Sequence, residues 1–197
     1  PGSVNADNDV KIGKQNIKLE SDLMTPEALW AMGRIGAAEA NADGSKIVYQ
    51  VGYYSVKANK SQQKIVIVNA DGTGNTTLTT GSKSETDPTW FQGKIAFLSG
   101  GQIWTMNADG SDRKQISKTS KDIEGFKFSP DGSKVILLHS LDFNEIIKKN
   151  PEDLPRASGR LVTDLMYRHW DHYVESIQHP FVAEVTEDGI KDGIDIL

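Results

Sequence analysis

The sequence predicts an all-β fold, a partial β-propeller of about three four-stranded antiparallel blades with a helical insertion in the third blade. Three observations predict it. Asp-Gly pairs recur along the chain, the repeating unit is about 40 residues long, and short apolar segments flank each turn. A period of about 40 to 45 residues with four strands per unit is typical of a propeller blade.

The turns occupy two places in the repeat. In the first, the turn precedes an apolar strand, as in "NADGSKIVYQV" (41–51), "SPDGSKVILLHS" (129–140) and the degenerate "WFQGKIAFLS" (90–99). In the second, the turn follows one, as in "KIVIVNADGTGNTTLTT" (64–80), "QIWTMNADGSDRKQIS" (102–117) and "PFVAEVTEDGIKDGIDIL" (180–197). Glycine supplies the positive φ that tight hairpins require, so each unit is predicted to contain several strands joined by hairpins.

These repeats place blade 1 at about 34–80, blade 2 at about 85–117 and blade 3 at about 124–197. The propeller segment as a whole is predicted at 23–197. Residues 1–22 are predicted to be flexible or extended, because their beginning is polar and rich in Gly, Asn and Asp.

Two segments depart from the strand pattern. Residues 22–33, "DLMTPEALWAMG", predict a short helix with Thr25 as N-cap and Pro26 at the first helical position. Residues 143–178 lie between the second and third strands of blade 3, and the apolar residues from Leu161 onward have helical spacing. We therefore predict a helical excursion from the blade edge.

The number of blades is small for a closed ring. Propellers typically have four to eight blades, and an open blade face leaves apolar side chains without a partner. The chain is therefore expected to be the opening portion of a longer protein, or to associate with itself through its open blade faces.

Composition excludes several classes of partner and site. The chain has 22 basic and 27 acidic residues, a net charge of -5, so we expect no nucleic-acid partner. No apolar run approaches the roughly 20 residues needed to span a bilayer, so no membrane span is expected. The absence of cysteine excludes disulfides and thiolate metal sites.

Two longer stretches resemble a known enzyme family. The lead-in "MTPEALWAMGRIGAAEANADGSKIVY" resembles the start of the propeller domain in the prolyl oligopeptidase family of serine peptidases, in particular its dipeptidyl aminopeptidase and acylaminoacyl peptidase branch. The stretch "EDLPRASGRLVTDLMYRHWDHYVESIQHPFV" is similar to an insertion that those enzymes carry in an early blade. "IWTMNADGSDRKQIS" and "FSPDGSKV" also resemble TolB-type repeats, which many propellers share.

The resemblance implies a role for the propeller without implying a catalytic residue in it. In that family a C-terminal α/β-hydrolase domain of the same polypeptide carries the nucleophilic serine on a G-x-S-x-G elbow, and this sequence contains no such motif. The resemblance therefore implies a propeller that gates the access of short peptides to that domain. It also implies a periplasmic or secreted location, no cofactor, and no hydrolysis by this chain alone.

The candidate substrate-binding residues lie on the insertion. Glu152 and Asp153 form an acidic pair suited to a peptide's free ammonium group, as in some family members, although the pair could equally begin a helix or face water. Arg156, Arg160 and Arg168 could bind a peptide carbonyl or carboxylate, or pair with the insertion's own acids.

Two patterns raise the question of a metal, and for both we prefer a structural interpretation. Residues 69–80 resemble half of a calcium loop, but Thr80 stands where a bidentate carboxylate is needed, so a hairpin turn is predicted. His169 and His172 could share one face of a helix, but their spacing matches no specific zinc motif. No metal site is predicted.

Two other interpretations of the function remain open. The chain could belong to a TolB-like periplasmic protein-binding or scaffold propeller, or it could be an independent small propeller that closes by self-association. A longer reading frame with a G-x-S-x-G elbow would favour the peptidase, whereas a frame that ends after further blades would favour the scaffold.

Overall fold

The computed structural model describes residues 10–142 and 176–197, and between them four two-residue strands, at 147–148, 161–162, 168–169 and 172–173. Three antiparallel sheets dominate this part of the chain. The first sheet has four strands in sequential order: β1 (Arg34–Ala40), β2 (Lys46–Ser55), β3 (Lys60–Asn69) and β4 (Thr76–Thr77).

The second sheet repeats the same order. Its strands are β5 (Glu85–Phe91), β6 (Lys94–Ser99), β7 (Gln102–Met106) and β8 (Lys114–Gln115). Both sheets end in a strand of two polar residues, and such a short strand leaves few unpaired backbone groups at the outer edge.

The third sheet is interrupted. It contains β9 (Gly125–Phe128) and β10 (Lys134–Asp142) and resumes after four short strands, β11 (Ile147–Lys148), β12 (Leu161–Val162), β13 (Arg168–His169) and β14 (His172–Tyr173). It is completed by β15 (Ser176–Thr186), β16 (Gly189–Ile190) and β17 (Ile194–Asp195), with β15 pairing along all of β10. The predicted all-β fold of about three four-stranded blades is confirmed.

A short helix precedes the first sheet. Helix α1 (Pro26–Ala31) begins where Thr25 Oγ1 accepts a hydrogen bond of 3.2 Å from the amide of Ala28, and Pro26 occupies the first turn. The N-cap satisfies one of the free amides at the helix start, as the sequence predicts.

The predicted helical insertion at 143–178 is not confirmed. Where the structure describes this segment it is strand: β11 pairs with β12, β13 pairs with β14, and β15 begins at Ser176. These residues therefore form antiparallel strand pairs and not a helix. Apolar spacing over a few residues is a weak signal, and cross-strand pairing with Ile147 and Lys148 overrides it at Leu161 and Val162.

The three sheets stack through the two faces of β6. Ile95 and Phe97 are fully buried in a cluster with residues of the first sheet, whereas Ala96 and Leu98 are buried in a cluster with residues of the third sheet. Successive residues of a strand point to opposite faces, so one continuous apolar run supplies both interfaces. This double burial is what a central propeller blade requires.

The repeated turns share one hydrogen-bond pattern. In the turn that follows β3, the amide of Gly72 donates to Asn69 O at 2.8 Å and the amide of Thr73 donates to Asp71 Oδ1 at 2.9 Å. Asp43, Asp109 and Asp131 make the same bond to the residue two positions later. The Asp side chain and the positive φ of glycine therefore explain why the same short motif recurs.

Candidate functional site

The connections between strands lie at the two opposite ends of the blades. One end carries the hairpins that connect the first strand to the second and the third to the fourth, and it is here called the turn edge. These hairpins lie at 41–45, 70–75, 92–93, 107–113, 129–133 and 187–188. The connections at 56–59 and 100–101 lie at the opposite edge. Asp142 pairs with Ser176, so segment 143–175 leaves and rejoins the third sheet at this second edge, here called the insertion edge.

The predicted substrate-binding residues belong, in the sequence, to segment 143–175. Glu152, Asp153, Arg156 and Arg160 lie outside the described residues. Arg168 lies in β13, opposite Tyr173 in β14, and its side chain is not described. Their role therefore remains a prediction.

The two metal-like patterns have local structural explanations. His169 in β13 pairs with His172 in β14, so the two residues belong to an antiparallel pair of strands and not to one helix. In the calcium-like loop, Asp71 Oδ1 accepts hydrogen bonds from the amide and the hydroxyl of Thr73 at 2.9 and 2.7 Å. The Thr73 hydroxyl is the main reason why the pKa of Asp71 is lowered, and the carboxylate serves the turn.

A groove of about 850 Å³ separates the outer parts of the second and third sheets. A parallel bridge forms its base: the amide of Ile190 donates to Ile116 O at 2.7 Å, and the amide of Lys118 donates to Ile190 O at 2.8 Å. Gly189 permits this approach, since a Cβ there would lie 2.7 Å from Ile116 O. The charged residues that line the groove are Lys94, Lys114, Lys118, Glu187, Asp188 and Lys191.

Sequence reasoning missed this groove because the residues of its base are far apart in the chain. The bridge joins Ser117 to Ile190, which pattern analysis of either segment alone does not reveal. The parallel pairing of Ser117, just after the last strand of the second sheet, with Ile190 in β16 creates a cleft with mixed charge and an apolar base. A cleft of this kind suits a segment of a partner protein.

The first strands of the three sheets, β1, β5 and β9, come together and form a second surface. Trp90 Nε1 donates to Glu39 O at 3.2 Å, and Thr89 Oγ1 donates to the Glu39 carboxylate, so β1 and β5 are joined. The rings of Phe91 and Phe128 stack at 3.8 Å and join β5 to β9. These side chains line a cavity of about 560 Å³.

A buried ionic cluster links the first and second sheets. Glu85 is 2% exposed, and its Oε1 accepts a hydrogen bond of 2.6 Å from Arg113, whose guanidinium lies 4.8 Å from the centre of the Phe97 ring. Lys64 is 3% exposed and its Nζ donates to the carbonyl oxygens of Gly81 and Lys83. Burial lowers the pKa of Lys64, and the charge of Glu85 opposes that shift. The cluster holds the connection between two blades.

No family model matches the sequence. Two curated proteins do. The chain is 36% identical over 185 residues to dipeptidyl-peptidase 5 of Porphyromonas endodontalis, covering 90% of this chain and 27% of that protein. It is 42% identical over 180 residues to dipeptidyl-peptidase 5 of Porphyromonas gingivalis, covering 88% of this chain and 26% of that protein. The chain thus spans about a quarter of the length of these relatives, and the match lies in their N-terminal part.

Solved structures agree on the fold. The acylaminoacyl peptidase of Pyrococcus horikoshii superposes with a TM-score of 0.58 at 13% identity, over 85% of this chain and 25% of that one. At this identity the likeness shows the fold alone. Together with the sequence matches, it confirms the predicted resemblance to the propeller portion of peptidases of the prolyl oligopeptidase family. The one helix in the described part of the chain is too short to cross a bilayer.

Proposed function

We propose that this chain is the non-catalytic N-terminal propeller portion of a serine peptidase, and that it gates the access of short peptides to a C-terminal α/β-hydrolase domain. The match to two dipeptidyl-peptidase 5 proteins over about a quarter of their length carries this proposal. The remaining three quarters of such a polypeptide leaves room for further blades and for a catalytic domain.

The insertion edge is the side proposed to face the substrate. At the turn edge, the carboxylates of Asp71, Asp109 and Asp131 are bonded within their own hairpins, whereas the insertion edge is where the long segment 143–175 leaves and rejoins the third sheet. Long connections positioned by a rigid scaffold frequently carry binding residues. Glu152 and Asp153 are proposed to bind the substrate's free ammonium group, and Arg156, Arg160 and Arg168 its carbonyl or carboxylate groups.

The third sheet supports a continuation of the propeller. Ile136 is 43% exposed and Ile194 is 77% exposed on the face that points away from the second sheet. A following blade would bury these side chains, and in the isolated chain the same face is proposed to drive self-association. A periplasmic or secreted location completes the proposal, and the cysteine-free composition is compatible with it.

The proposed role is tested in the complete polypeptide with the double variant Glu152→Gln/Asp153→Asn. We expect kcat/KM for a dipeptidyl amide with a free N-terminus to fall at least about tenfold, mainly through KM, because an ammonium loses its charge-assisted partner. The matched control is Glu187→Gln/Asp188→Asn, an acidic pair at the turn edge, which should leave kcat/KM unchanged. Equal losses on a free and an N-acylated substrate would contradict ammonium binding, and absence of any peptidase activity would contradict the proposed enzyme.

The alternative is a TolB-like periplasmic protein-binding or scaffold propeller. The groove between the second and third sheets favours it, because a cleft with an apolar base and lysines at its margin suits a partner segment. Loss of partner binding in Lys118→Glu, with peptidase activity absent, would support the scaffold.

A further inference from the structure

The two walls of the groove between the second and third sheets carry opposite charges. The second-sheet wall bears Lys94 at the start of β6, Lys114 in β8 and Lys118 in the segment that follows β8. The third-sheet wall bears Glu187 and Asp188, in the hairpin between β15 and β16. The groove is therefore polarised from one blade to the next.

These charges are not neutralised across the groove. Lys94 pairs with Asp112 of its own blade, but no ion pair joins the two walls in the part of the chain that the structure describes. The other charged residues of the walls are exposed, and Lys191 on the third-sheet wall offsets only part of the acidic charge there. A ligand that carries both signs of charge would therefore find a partner on each wall.

The floor of the groove is apolar. Phe91, Ile116 and Val185 pack against the core shared by the second and third sheets, yet they are only partly buried and line the groove. The bridge between Ser117 and Ile190 joins the two walls. An aliphatic side chain placed on this floor would remove apolar surface of both molecules from water. At about 850 Å³, the groove has room for several residues of an extended peptide.

The groove stays open when the propeller is extended. A further blade would pack on the outer face of the third sheet, and the last blade of a closed ring would meet the outer face of the first sheet, whereas the groove lies between the second and third sheets. The hairpins that line it, 92–93 and 187–188, belong to the turn edge, and the substrate is proposed to approach the insertion edge. Neither ring closure nor substrate binding therefore covers the groove.

We propose that the groove binds an extended segment of a partner protein in which aliphatic residues stand between acidic and basic residues. The acidic residues bind Lys114 and Lys118, the basic residues bind Glu187 and Asp188, and the aliphatic side chains contact the floor. A segment with charges of one sign would be repelled by one of the two walls. This inference does not rest on the proposed peptidase activity, because binding in the groove requires no catalytic domain.

The test is fluorescence polarisation of a fluorescein-labelled probe peptide, Glu-Glu-Leu-Leu-Lys-Lys with an amidated C-terminus, mixed with the 197-residue chain. Low ionic strength is used because exposed charges are then screened least. We expect saturable binding with a Kd below about 1 mM. A peptide with serine in place of both leucines should bind at least about tenfold more weakly, and so should peptides in which all four charged residues are glutamate or all four are lysine.

Charge reversal in the chain provides the matched comparison. Lys114→Glu/Lys118→Glu should weaken binding of the probe at least about tenfold, because the basic wall is lost. The control is Lys57→Glu/Lys127→Glu, an equal change of charge at exposed residues outside the groove, and it should leave the affinity unchanged. The peptide with four lysines should bind the groove variant more tightly than the control variant, and this rescue also shows that the groove variant is folded.

A second readout locates the bound probe. The probe should slow maleimide labelling of Thr186→Cys, which lies in the groove, and leave labelling of Lys57→Cys unaffected. Absence of saturable binding would overturn the proposal, as would equal weakening in the groove variant and the control variant. Competition by free leucyl-leucine that matches the unlabelled probe would assign the groove to a small zwitterion. Probe affinity that falls as the concentration of the chain rises would assign it to a second copy, and either result would also overturn the proposal.

Discussion

Phe97 and Leu98 are neighbours in β6, yet Phe97 packs in the core shared with the first sheet and Leu98 in the core shared with the third. Both are buried, at 0% and 6% exposed. One strand therefore holds three sheets together, and each residue reports on a different interface.

Phe97→Ala should lower the free energy of unfolding by about 3 to 5 kcal/mol, because it removes a fully buried aromatic ring and leaves a cavity. Urea denaturation followed by tryptophan fluorescence measures the change. Ile136→Ala is the control: Ile136 is 43% exposed, so the loss in the isolated chain should stay below about 1 kcal/mol. Equal losses for the two variants would contradict the assignment of the cores.

Arg113→Met should lower the free energy of unfolding by about 3 kcal/mol or more, because it leaves the buried Glu85 carboxylate without the partner that lies 2.6 Å from it. Combining it with Glu85→Leu should restore much of the stability, since the buried charge is then absent as well. Thermal unfolding of both variants tests this. Lys94→Met, which removes an exposed pair with Asp112, should change stability by less than about 1 kcal/mol. A double variant less stable than Arg113→Met would contradict the explanation that the unpaired Glu85 charge causes the loss.

Gly33→Ala should destabilise the first sheet, because the added Cβ would lie 2.8 Å from Val51 Cγ1 and 2.9 Å from Tyr53 Cε1. Overpacking of this kind typically costs about 1 to 3 kcal/mol. Gly13→Ala is the matched control, since nothing lies within 4 Å of a Cβ at that position. Unfolding by urea should show a lower midpoint for Gly33→Ala alone. An unchanged midpoint would mean that the connection between α1 and β1, where Gly33 lies, does not pack tightly against β2.

Lowering the pH should destabilise the hairpins of the turn edge, because protonation removes the charge of their Asp carboxylates. Hydrogen bonds from the Ser129 hydroxyl and from the Ser133 amide and hydroxyl lower the pKa of Asp131 to about 2, from a value near 3.8. The stabilisation is fully present above the higher value and is lost as the pH falls toward 2. Asp131→Asn should therefore flatten the dependence of stability on pH between about 4 and 2. An unchanged slope in that variant would contradict the assignment.

The local part of the fold could be predicted from the sequence, and the non-local part could not. The Asp-Gly turns are recognisable in the sequence because the residues that bond within each turn, such as Asn69 and Thr73, lie within five positions of one another. The placement of the N-terminal segment depends on a hydrogen bond between Ile12 and Gln62, 50 positions apart, and no repeat in the sequence indicates that contact.

The insertion shows the opposite failure. Apolar residues from Leu161 onward fit a helical period, but Leu161 pairs with Lys148, and this pairing decides its conformation. Only resemblance and charge point to Glu152 and Asp153 as binding residues, so the variants in the complete polypeptide are the test of their role.

The most direct test of the central claim, that the third sheet packs against a further blade of a longer propeller, is maleimide labelling of Ile136→Cys. The 197-residue chain has no cysteine, so the label reports one position in it. We predict fast labelling in the dilute isolated chain and labelling at least about tenfold slower in the complete polypeptide, while Asp188→Cys at the turn edge labels fast in both. Equally fast labelling of Ile136→Cys in the two proteins would contradict the claim.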